Sequence, residues 1–236
     1  MSIRIKNLTK LYGLQKAVND ISFEVKPGEI MGFLGPNGAG KSTTMKITTG
    51  YLNATSGSVD ICGFDVASQS MEVRRSIGYL PEHNPLYTDM YIKEFLRFVG
   101  ALYGLKSDKL SQRVGEMVEI CGLGLEQNKK IGQLSKGYRQ RVGLAQALIH
   151  NPPVLILDEA TTGLDPNQIL EIRTLIKTAG KEKTVLFSSH IMQEVEAICD
   201  RAVIINRGQV VADRSLSDFR SGGKSLEEVF HELTTQ

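Results

Sequence analysis

Apolar side chains alternate with polar ones near the start of the chain, at Ile3 and Ile5 and again at Ile21, Phe23 and Val25. A period of two is typical of strands that bury one face and expose the other. The pattern therefore predicts antiparallel strands with one face toward the core and one toward water.

A strand, a glycine-rich loop and a helix are predicted next. Pro27 and Gly28 indicate a turn, and the residues of 29–34 indicate a strand that runs directly into the loop. We expect residues 42–49 to form the helix after the loop. This order of elements predicts one unit of an α/β fold.

The middle of the chain, from about residue 88 to residue 150, has a helical period. Apolar residues recur there at spacings of three and four, at Tyr91, Phe95, Phe98, Val99, Leu102, Val114, Met117, Val118 and Cys121. This spacing predicts amphipathic helices. Because strands are predicted on both sides, the segment of about 83–151 is predicted to be a helical subdomain inserted into the core.

Two strand–helix alternations and a hairpin follow. The predicted segments are strand 154–157 with helix 167–178, strand 184–188 with helix 192–199, and hairpin strands 203–205 and 209–212. Strands that are buried on both faces and joined by helices form mostly parallel sheets. No repeat, low-complexity tract or linker divides the sequence, so residues 1–236 are expected to form a single domain.

The composition is that of an ordinary globular protein. Hydrophobic residues make up 41% of the 236 residues, charged residues 23%, and the formal net charge is +2. These values argue against disorder and give no indication of a nucleic-acid partner. The densest basic stretch, residues 129–141, is dispersed along the chain, and we interpret it as a solvated face.

The cysteines and the lengths of the apolar runs bear on the compartment. The three cysteines, Cys62, Cys121 and Cys199, lie far apart and are expected to be reduced thiols of a cytosolic protein. The N-terminal segment has no apolar core of the signal-peptide kind, so no signal peptide is expected. No apolar run approaches the roughly 18 residues of a membrane span, so we expect another chain to supply any spans.

The glycine-rich loop carries the first candidate chemistry. It matches the pattern G-x-x-x-x-G-K-[ST], and the candidate nucleotide-binding residues are Gly35, Pro36, Asn37, Gly38, Ala39, Gly40, Lys41, Ser42 and Thr43. Glycines let successive backbone N–H groups point at a phosphate, and the start of the next helix adds its positive end. We expect Lys41 to reach the β- and γ-phosphates and the Ser42 hydroxyl to bind Mg²⁺.

Two acidic residues follow the predicted strand 154–157. Since the carboxyl ends of parallel strands face the ligand crevice, Asp158 is a candidate Mg²⁺ ligand and Glu159 is a candidate base for the attacking water. An acidic pair can also simply begin a helix at the surface. The phosphate loop upstream favours the catalytic interpretation.

Residues 134–141, Leu-Ser-Lys-Gly-Tyr-Arg-Gln-Arg, resemble the LSGGQ signature of ATP-binding cassette (ABC) proteins in its LSxGxxQR form. The resemblance covers nearly the whole chain. It implies an α/β fold of the P-loop NTPase class, with a mostly parallel core sheet, an N-terminal antiparallel β-subdomain and an inserted α-helical subdomain. It also implies that four signature residues act in trans, on ATP held by a second copy: Leu134, Ser135, Gly137 and Gln140.

Three more residues match the family pattern. Tyr12 matches the aromatic residue that stacks on adenine, Asp165 lies in a Gly-Leu-Asp-Pro segment that matches the D-loop of the dimer seam, and His190 matches the switch residue that contacts the γ-phosphate and completes catalysis. Taken singly, a tyrosine is usually packed in the core, a histidine at a strand end is usually a surface residue, and Gly-Leu-Asp-Pro is a turn. The order and spacing of all the matched elements favour the family.

The resemblance also implies a function. The chain would be an ATPase with ATP and Mg²⁺ as cofactors, would form a homodimer around two ATP molecules, and would drive a multi-span membrane subunit from the cytoplasmic face of the membrane. Residues 83–87 and 225–230 are similar to ATPases that pair with ABC-2-type membrane subunits, including gliding-motility-associated cassettes. Residues 82–100 would form the groove for the partner, although Tyr87, Met90 and Tyr91 could equally pack the helical lobe.

Three residues depart from the family pattern. Glu82 stands where the family usually has a glutamine that touches Mg²⁺; it keeps an oxygen acceptor, loses the amide donor and adds a negative charge. Our hypothesis is that Glu82 remains a metal ligand and coupler, and unchanged ATP hydrolysis and transport in a Glu82→Ala variant would contradict it. Lys136 and Tyr138 replace a glycine and a glutamine of the signature, but Ser135 and Gly137 are kept, so the site is not interpreted as inactive.

Two other functions compete with a transporter subunit. A soluble cassette ATPase acting on ribosomes or nucleic acid is disfavoured by the single cassette, the lack of a long coiled-coil insertion and the near-neutral charge. A nucleotide sensor that does not hydrolyse ATP is disfavoured by Glu159 and His190.

Overall fold

The computed structural model describes residues 2–221 and 223–235 and places the strands in two sheets. The strands are β1 (Ile3–Tyr12), β2 (Gln15–Val25), β3 (Ile30–Leu34), β4 (Ser56–Ile61), β5 (Phe64–Asp65), β6 (Ile77–Leu80), β7 (Val154–Asp158), β8 (Thr184–Ser189), β9 (Arg201–Asn206) and β10 (Gln209–Ser215). The helices are α1 (Lys41–Thr48), α2 (Ser70–Ser76), α3 (Ile92–Leu102), α4 (Ser107–Ile120), α5 (Lys136–Leu148), α6 (Pro166–Gly180), α7 (Met192–Ile198), α8 (Leu216–Ser221) and α9 (Leu226–Thr234).

The smaller sheet has the strand order β2–β1–β4–β5, and its strand pairs are antiparallel. Ile3 of β1 lies opposite Val25 of β2, and Ile5 lies opposite Phe23. These four side chains are buried, and Phe23 packs against Phe33 of β3 with ring centroids 5.2 Å apart. The antiparallel strands predicted from the period of two are therefore confirmed, and their apolar face closes one side of the core.

The larger sheet has the order β10–β9–β3–β8–β7–β6. Its pairs are parallel except β10 with β9, so the mostly parallel sheet and the closing hairpin are both confirmed. In the register of these pairs, Leu34 lies opposite Ser189 and Asp158 lies opposite Ser188. The carboxyl ends of β3, β7 and β8 therefore meet at one edge of the sheet, where α/β proteins bind their ligands.

The helical middle lies between β6 and β7 in the chain and consists of α3, α4 and α5. Buried residues of α3 recur at helical spacing, at Ile92, Phe95, Leu96 and Val99, and those of α4 are Val114, Met117 and Val118. The predicted amphipathic helices are confirmed. The period of three and four also includes Phe98 and Leu102, whose side chains are exposed.

The C-terminal end of α5 is fixed by contacts from α3, α4 and β6. The rings of His150 and Tyr103 stack with centroids 3.7 Å apart, and His150 Nε2 lies 2.9 Å from the carbonyl oxygen of Ile77. Burial disfavours the charged imidazole and lowers the pKa of His150 to about 4. Arg113 of α4 donates to the carbonyl oxygens of Leu148 and Ile149, which have no partner within the helix. These contacts hold the C-terminal end of α5, and the signature segment lies at the N-terminal end of the same helix.

The helices predicted at 42–49, 167–178 and 192–199 correspond to α1, α6 and α7. None of the helices in the described ranges is both long enough and apolar enough to span a membrane. Cys121 and Cys199 are buried, Cys62 is partly exposed, and all three are free thiols, as expected.

Candidate functional site

The glycine-rich loop joins the end of β3 to the start of α1 in a conformation that only small residues allow. Gly38 and Gly40 have φ values of +79° and +107°, in the left-handed region that favours glycine. A side chain at Gly40 would also collide with the carbonyl oxygen of Ala17, and one at Gly35 would collide with that of Ile205. Alternation of left-handed and right-handed residues turns successive N–H groups toward one point, which is the geometry of an anion site.

Lys41 is the first residue of α1, and its side chain is buried at 6% exposure. The ammonium donates to the carbonyl oxygen of Gly35 at 2.7 Å and lies 3.6 Å from Glu159 Oε1. A buried cation of this kind is held next to the loop and within reach of any anion that the loop binds.

Asp158 ends β7 and is 2% exposed. Its carboxylate accepts hydrogen bonds from the hydroxyls of Ser188 and Ser42. The pKa of Asp158 is raised, first by burial and also by the neighbouring carboxylates of Glu159 and Glu82, while the two serine hydrogen bonds act in the opposite direction. A buried carboxylate with this environment favours a nearby cation.

Glu159 has a φ of +52°, which is unusual for a residue with a long side chain and is a source of backbone strain. Its N–H donates to the carbonyl oxygen of Ser188 at 3.2 Å. Its carboxylate oxygen Oε2 lies 2.7 Å from His190 Nδ1 and accepts from the Thr162 hydroxyl at 3.1 Å. The strained backbone and these contacts aim one carboxylate at the mouth of the loop.

The phosphate loop, Glu159 and His190 line one cavity of about 460 Å³. It is lined by Ala17, Asn37, Gly38, Gly40, Lys41, Ser42, Thr43, Glu82, Glu159, Thr162 and His190. A larger neighbouring cavity of about 810 Å³ shares Ser42 and Glu82 with it and also reaches Asp158. The candidate residues Gly35, Pro36 and Ala39 do not line this cavity, and Asp158 lines the adjacent one.

The site fits Mg²⁺ only together with a phosphate. In residues 2–221 and 223–235, no group of three or more His, Cys, Asp or Glu side chains is arranged to hold a metal ion. Mg²⁺ commonly binds through one or two protein carboxylates, water and the oxygens of a substrate phosphate. Asp158, hydrogen-bonded to Ser42 beside the phosphate loop, matches that pattern.

The signature segment lies outside this cavity. Ser135 is the N-cap of α5 and accepts a hydrogen bond from the Tyr138 N–H, while Leu134 and Gly137 are buried. Gln140 is also buried, and its amide donates to the carbonyl oxygen of Ala160 in the same chain at 2.9 Å. Ser135 therefore lies at a helix N-terminus outside the phosphate-loop cavity of the same chain. The Gln140 amide, by contrast, is hydrogen-bonded within the chain.

The remaining candidates are also separate from the cavity. The ring of Tyr12 is half-exposed near the tip of the β1–β2 hairpin, 5.4 Å from Lys10 Nζ. Asp165 is the N-cap of α6 and accepts from the Gln168 N–H at 3.0 Å. Sequence reasoning missed Ser188 and Thr162, which bind Asp158 and Glu159.

The model of the family described as ABC transporter matches residues 18–162, which include the phosphate loop, the signature segment and the two acidic residues. The chain belongs to the ABC transporter family. The chain is an ATPase subunit of this family, with the ABC ATPase fold and ATP as its ligand.

Three similar proteins illustrate the family. The bacitracin transport ATP-binding protein BcrA of Bacillus licheniformis is 40% identical over 89% of this chain and 69% of its own. A solved structure of an ATP-binding subunit of an ABC transporter is 32% identical, with a TM-score of 0.89 over 99% of both chains. The ATP-binding cassette MJ0796, solved as a dimer in a post-hydrolysis state with ADP and Pi, is 27% identical, with a TM-score of 0.84 over 91% of this chain and 98% of its own.

Proposed function

We propose that the chain binds Mg-ATP, pairs with a second copy of itself around two ATP molecules, and drives a multi-span membrane subunit of ABC-2 type from the cytoplasmic face of the membrane. The observation that carries the proposal is that the signature residues do not line the phosphate-loop cavity of their own chain. The phosphate loop, Glu159 and His190 line one cavity, and the signature residues of the same chain do not reach it. A second copy supplies the missing half.

The residues of the cavity divide the chemistry among them. The loop N–H groups and Lys41 bind the phosphates, and Glu159 accepts a proton from the attacking water as His190 holds its carboxylate from the other side. Tyr12 stacks on adenine, and Asp165 lies along the dimer seam. When bound, Mg²⁺ neutralises charge on the β- and γ-phosphates, and Asp158, Ser42 and Glu82 would hold it.

The helical lobe, about 83–151, is the proposed contact for the membrane subunit. It exposes aromatic rings: Tyr87 is 54% exposed and lies 5.7 Å from the partly exposed Phe98, and Tyr91 is 49% exposed. Exposed aromatic clusters of this kind are enriched at protein interfaces. BcrA, which is named for bacitracin transport, supports this class of partner. Isolation of tagged protein from detergent-solubilised membranes without any multi-span chain would count against it.

A mixing experiment tests the composite site. In a Lys41→Ala homodimer, both sites lack the lysine contact to phosphate. In a Ser135→Arg homodimer, the signature is blocked in both sites. Each variant alone should therefore be inactive. In the mixed dimer, the phosphate loop of the Ser135→Arg chain meets the signature of the Lys41→Ala chain and forms one complete site. Equal mixing should restore Mg-dependent phosphate release to as much as about a quarter of the wild-type rate, because about half of the dimers are mixed and each has one complete site.

The controls follow from the same design. EDTA should abolish the recovered activity, and each variant at the total protein concentration of the mixture should remain inactive. If either variant alone were as active as the wild type, or if mixing restored nothing while both variants stayed folded, a site built from two chains would be ruled out.

A further inference from the structure

Gln140 connects the signature helix to the catalytic strand of its own chain. It lies on α5 at 9% exposure, and its side-chain Nε2 donates to the carbonyl oxygen of Ala160 at 2.9 Å. Ala160 directly follows Glu159 and is 1% exposed. In the described part of the chain, no backbone N–H donates to this carbonyl oxygen, so Gln140 satisfies a buried acceptor that would otherwise have no partner.

The backbone at this point needs support because Glu159 is in the left-handed region, with a φ of +52°. On one side, its own N–H is held by the carbonyl oxygen and hydroxyl of Ser188, each at 3.2 Å. On the other side, the peptide after Ala160 is held by Gln140. Strained conformations of this kind persist only where neighbouring contacts determine them, and here the two contacts come from β8 and from α5.

Two further contacts join α5 to the segment after Glu159. The side chain of Gln168 lies so close to Gly137 that a Cβ there would come within 2.5 Å of its amide carbon, and the same side chain accepts a hydrogen bond from the Asp165 N–H. The ammonium of Lys136 lies over Gly163, where a side chain would collide with it. The first two turns of α5 therefore rest on residues 160–168 at three points, and α5 and this segment are expected to move together.

We propose that Gln140 is a positioning residue that acts in cis: through the Ala160 carbonyl it sets the orientation of Glu159 in its own chain. The proposal rests on the proposed function, in which the N-terminus of α5 engages ATP held by the second copy. In that function Glu159 is the base of its own chain's site, so loss of the Gln140–Ala160 hydrogen bond is expected to slow hydrolysis at that site and not at the neighbouring one.

The mixed dimer separates cis from trans action. Its single working site takes Glu159 from the Ser135→Arg chain and the signature from the Lys41→Ala chain. Gln140→Met, which keeps the length of the side chain and removes the N–H donor, is placed in one chain or the other. We expect kcat to fall by about tenfold more when it is in the Ser135→Arg chain, since a small misplacement of a catalytic group costs up to about a hundredfold. The KM for ATP should change little in that arrangement, because Gln140 touches no nucleotide-binding residue of the cavity.

Other outcomes would overturn the proposal. A larger loss with Gln140→Met in the Lys41→Ala chain would assign Gln140 to trans action, and a similar loss in both arrangements, including one caused by misfolding, would show no cis positioning. Gln112→Met, at an exposed glutamine of α4 whose amide donates to Glu116, is the matched control and should stay within about twofold in both arrangements. If the parent mixture has no activity, the composite site of the proposed function is contradicted. Gln140→Met is then introduced into the otherwise wild-type protein, and an unchanged kcat would contradict a positioning role.

Discussion

Replacing Glu159 with glutamine should lower the rate of ATP hydrolysis by about 10²–10⁴-fold while ATP still binds. The glutamine amide has nearly the shape of the carboxylate but cannot take a proton from water. It also removes the negative charge 3.6 Å from Lys41 Nζ, so the ammonium is freer to pair with phosphates. Since bound ATP is no longer consumed, the closed dimer should accumulate. Phosphate release measures the first effect, and light scattering with and without Mg-ATP measures the second.

Glu24→Gln is the matched control for this prediction. Glu24 is a partly exposed carboxylate on β2 that pairs with Arg4 at 2.9 Å and is remote from the cavity. Its conversion to an amide should leave turnover within about twofold of the wild-type rate. Wild-type turnover in Glu159→Gln would remove Glu159 from the role of base, and a loss of ATP binding would indicate a role in binding instead.

The parts of the site that lie on fully buried strands were predictable from the sequence. Residues 30–34 and 154–158 are continuous apolar runs that end in a glycine loop or an acidic residue, and such a run can only be buried in a sheet or a helix core. Ser188 was within a predicted strand, but its contact with Asp158 depends on the register between β7 and β8. Register is a tertiary property that neither strand encodes alone.

Two of the strands that were not predicted have weak local signals. β5 has two residues, and β4 begins Ser-Gly-Ser with exposed side chains, so both are strands because of their partners rather than their own periodicity. For α9 a signal was present: Ser225 and Glu228 form a capping box, and Leu226, Val229 and Leu233 recur at helical spacing. In the sequence analysis, residues 225–230 support only the resemblance to ABC-2-type ATPases.

Gln140 is the residue for which the role implied by the motif and the proposed role differ. The signature pattern groups it with Ser135, and the shared motif leads to one shared role in trans. On a helix, however, residues five positions apart point in different directions, and here Ser135 caps the exposed N-terminus while Gln140 points into the chain. Under the proposed cis role of Gln140, this contiguous motif contains residues that serve two different ATP sites.

The second large effect is expected at an ion pair between α6 and α7 whose carboxylate is buried. Arg173 of α6 donates from Nη2 to Glu194 Oε1 of α7 at 3.0 Å, and Glu194 is 1% exposed. Arg173→Met leaves that carboxylate buried without its cation. Breaking a buried pair in this way typically costs about 3–5 kcal/mol, which corresponds to a decrease in Tm of roughly 6–20 °C for a chain of this size.

The double variant Arg173→Met with Glu194→Leu distinguishes this cause from a loss of packing. If the cost comes from the uncompensated carboxylate, replacing both partners with apolar side chains should recover most of the lost stability, because well-packed hydrophobic residues often match a buried pair. Lys224→Met is the matched control: its pair with Glu232 is about half-exposed on both sides, so the change in Tm should be small. Urea unfolding followed by circular dichroism gives the free energies, and a double variant no more stable than Arg173→Met would show that the arginine stabilises the fold by packing. Since Asp165 is the N-cap of α6 and α7 begins two residues after His190, such a loss of packing would be expected to disturb both proposed site residues as well.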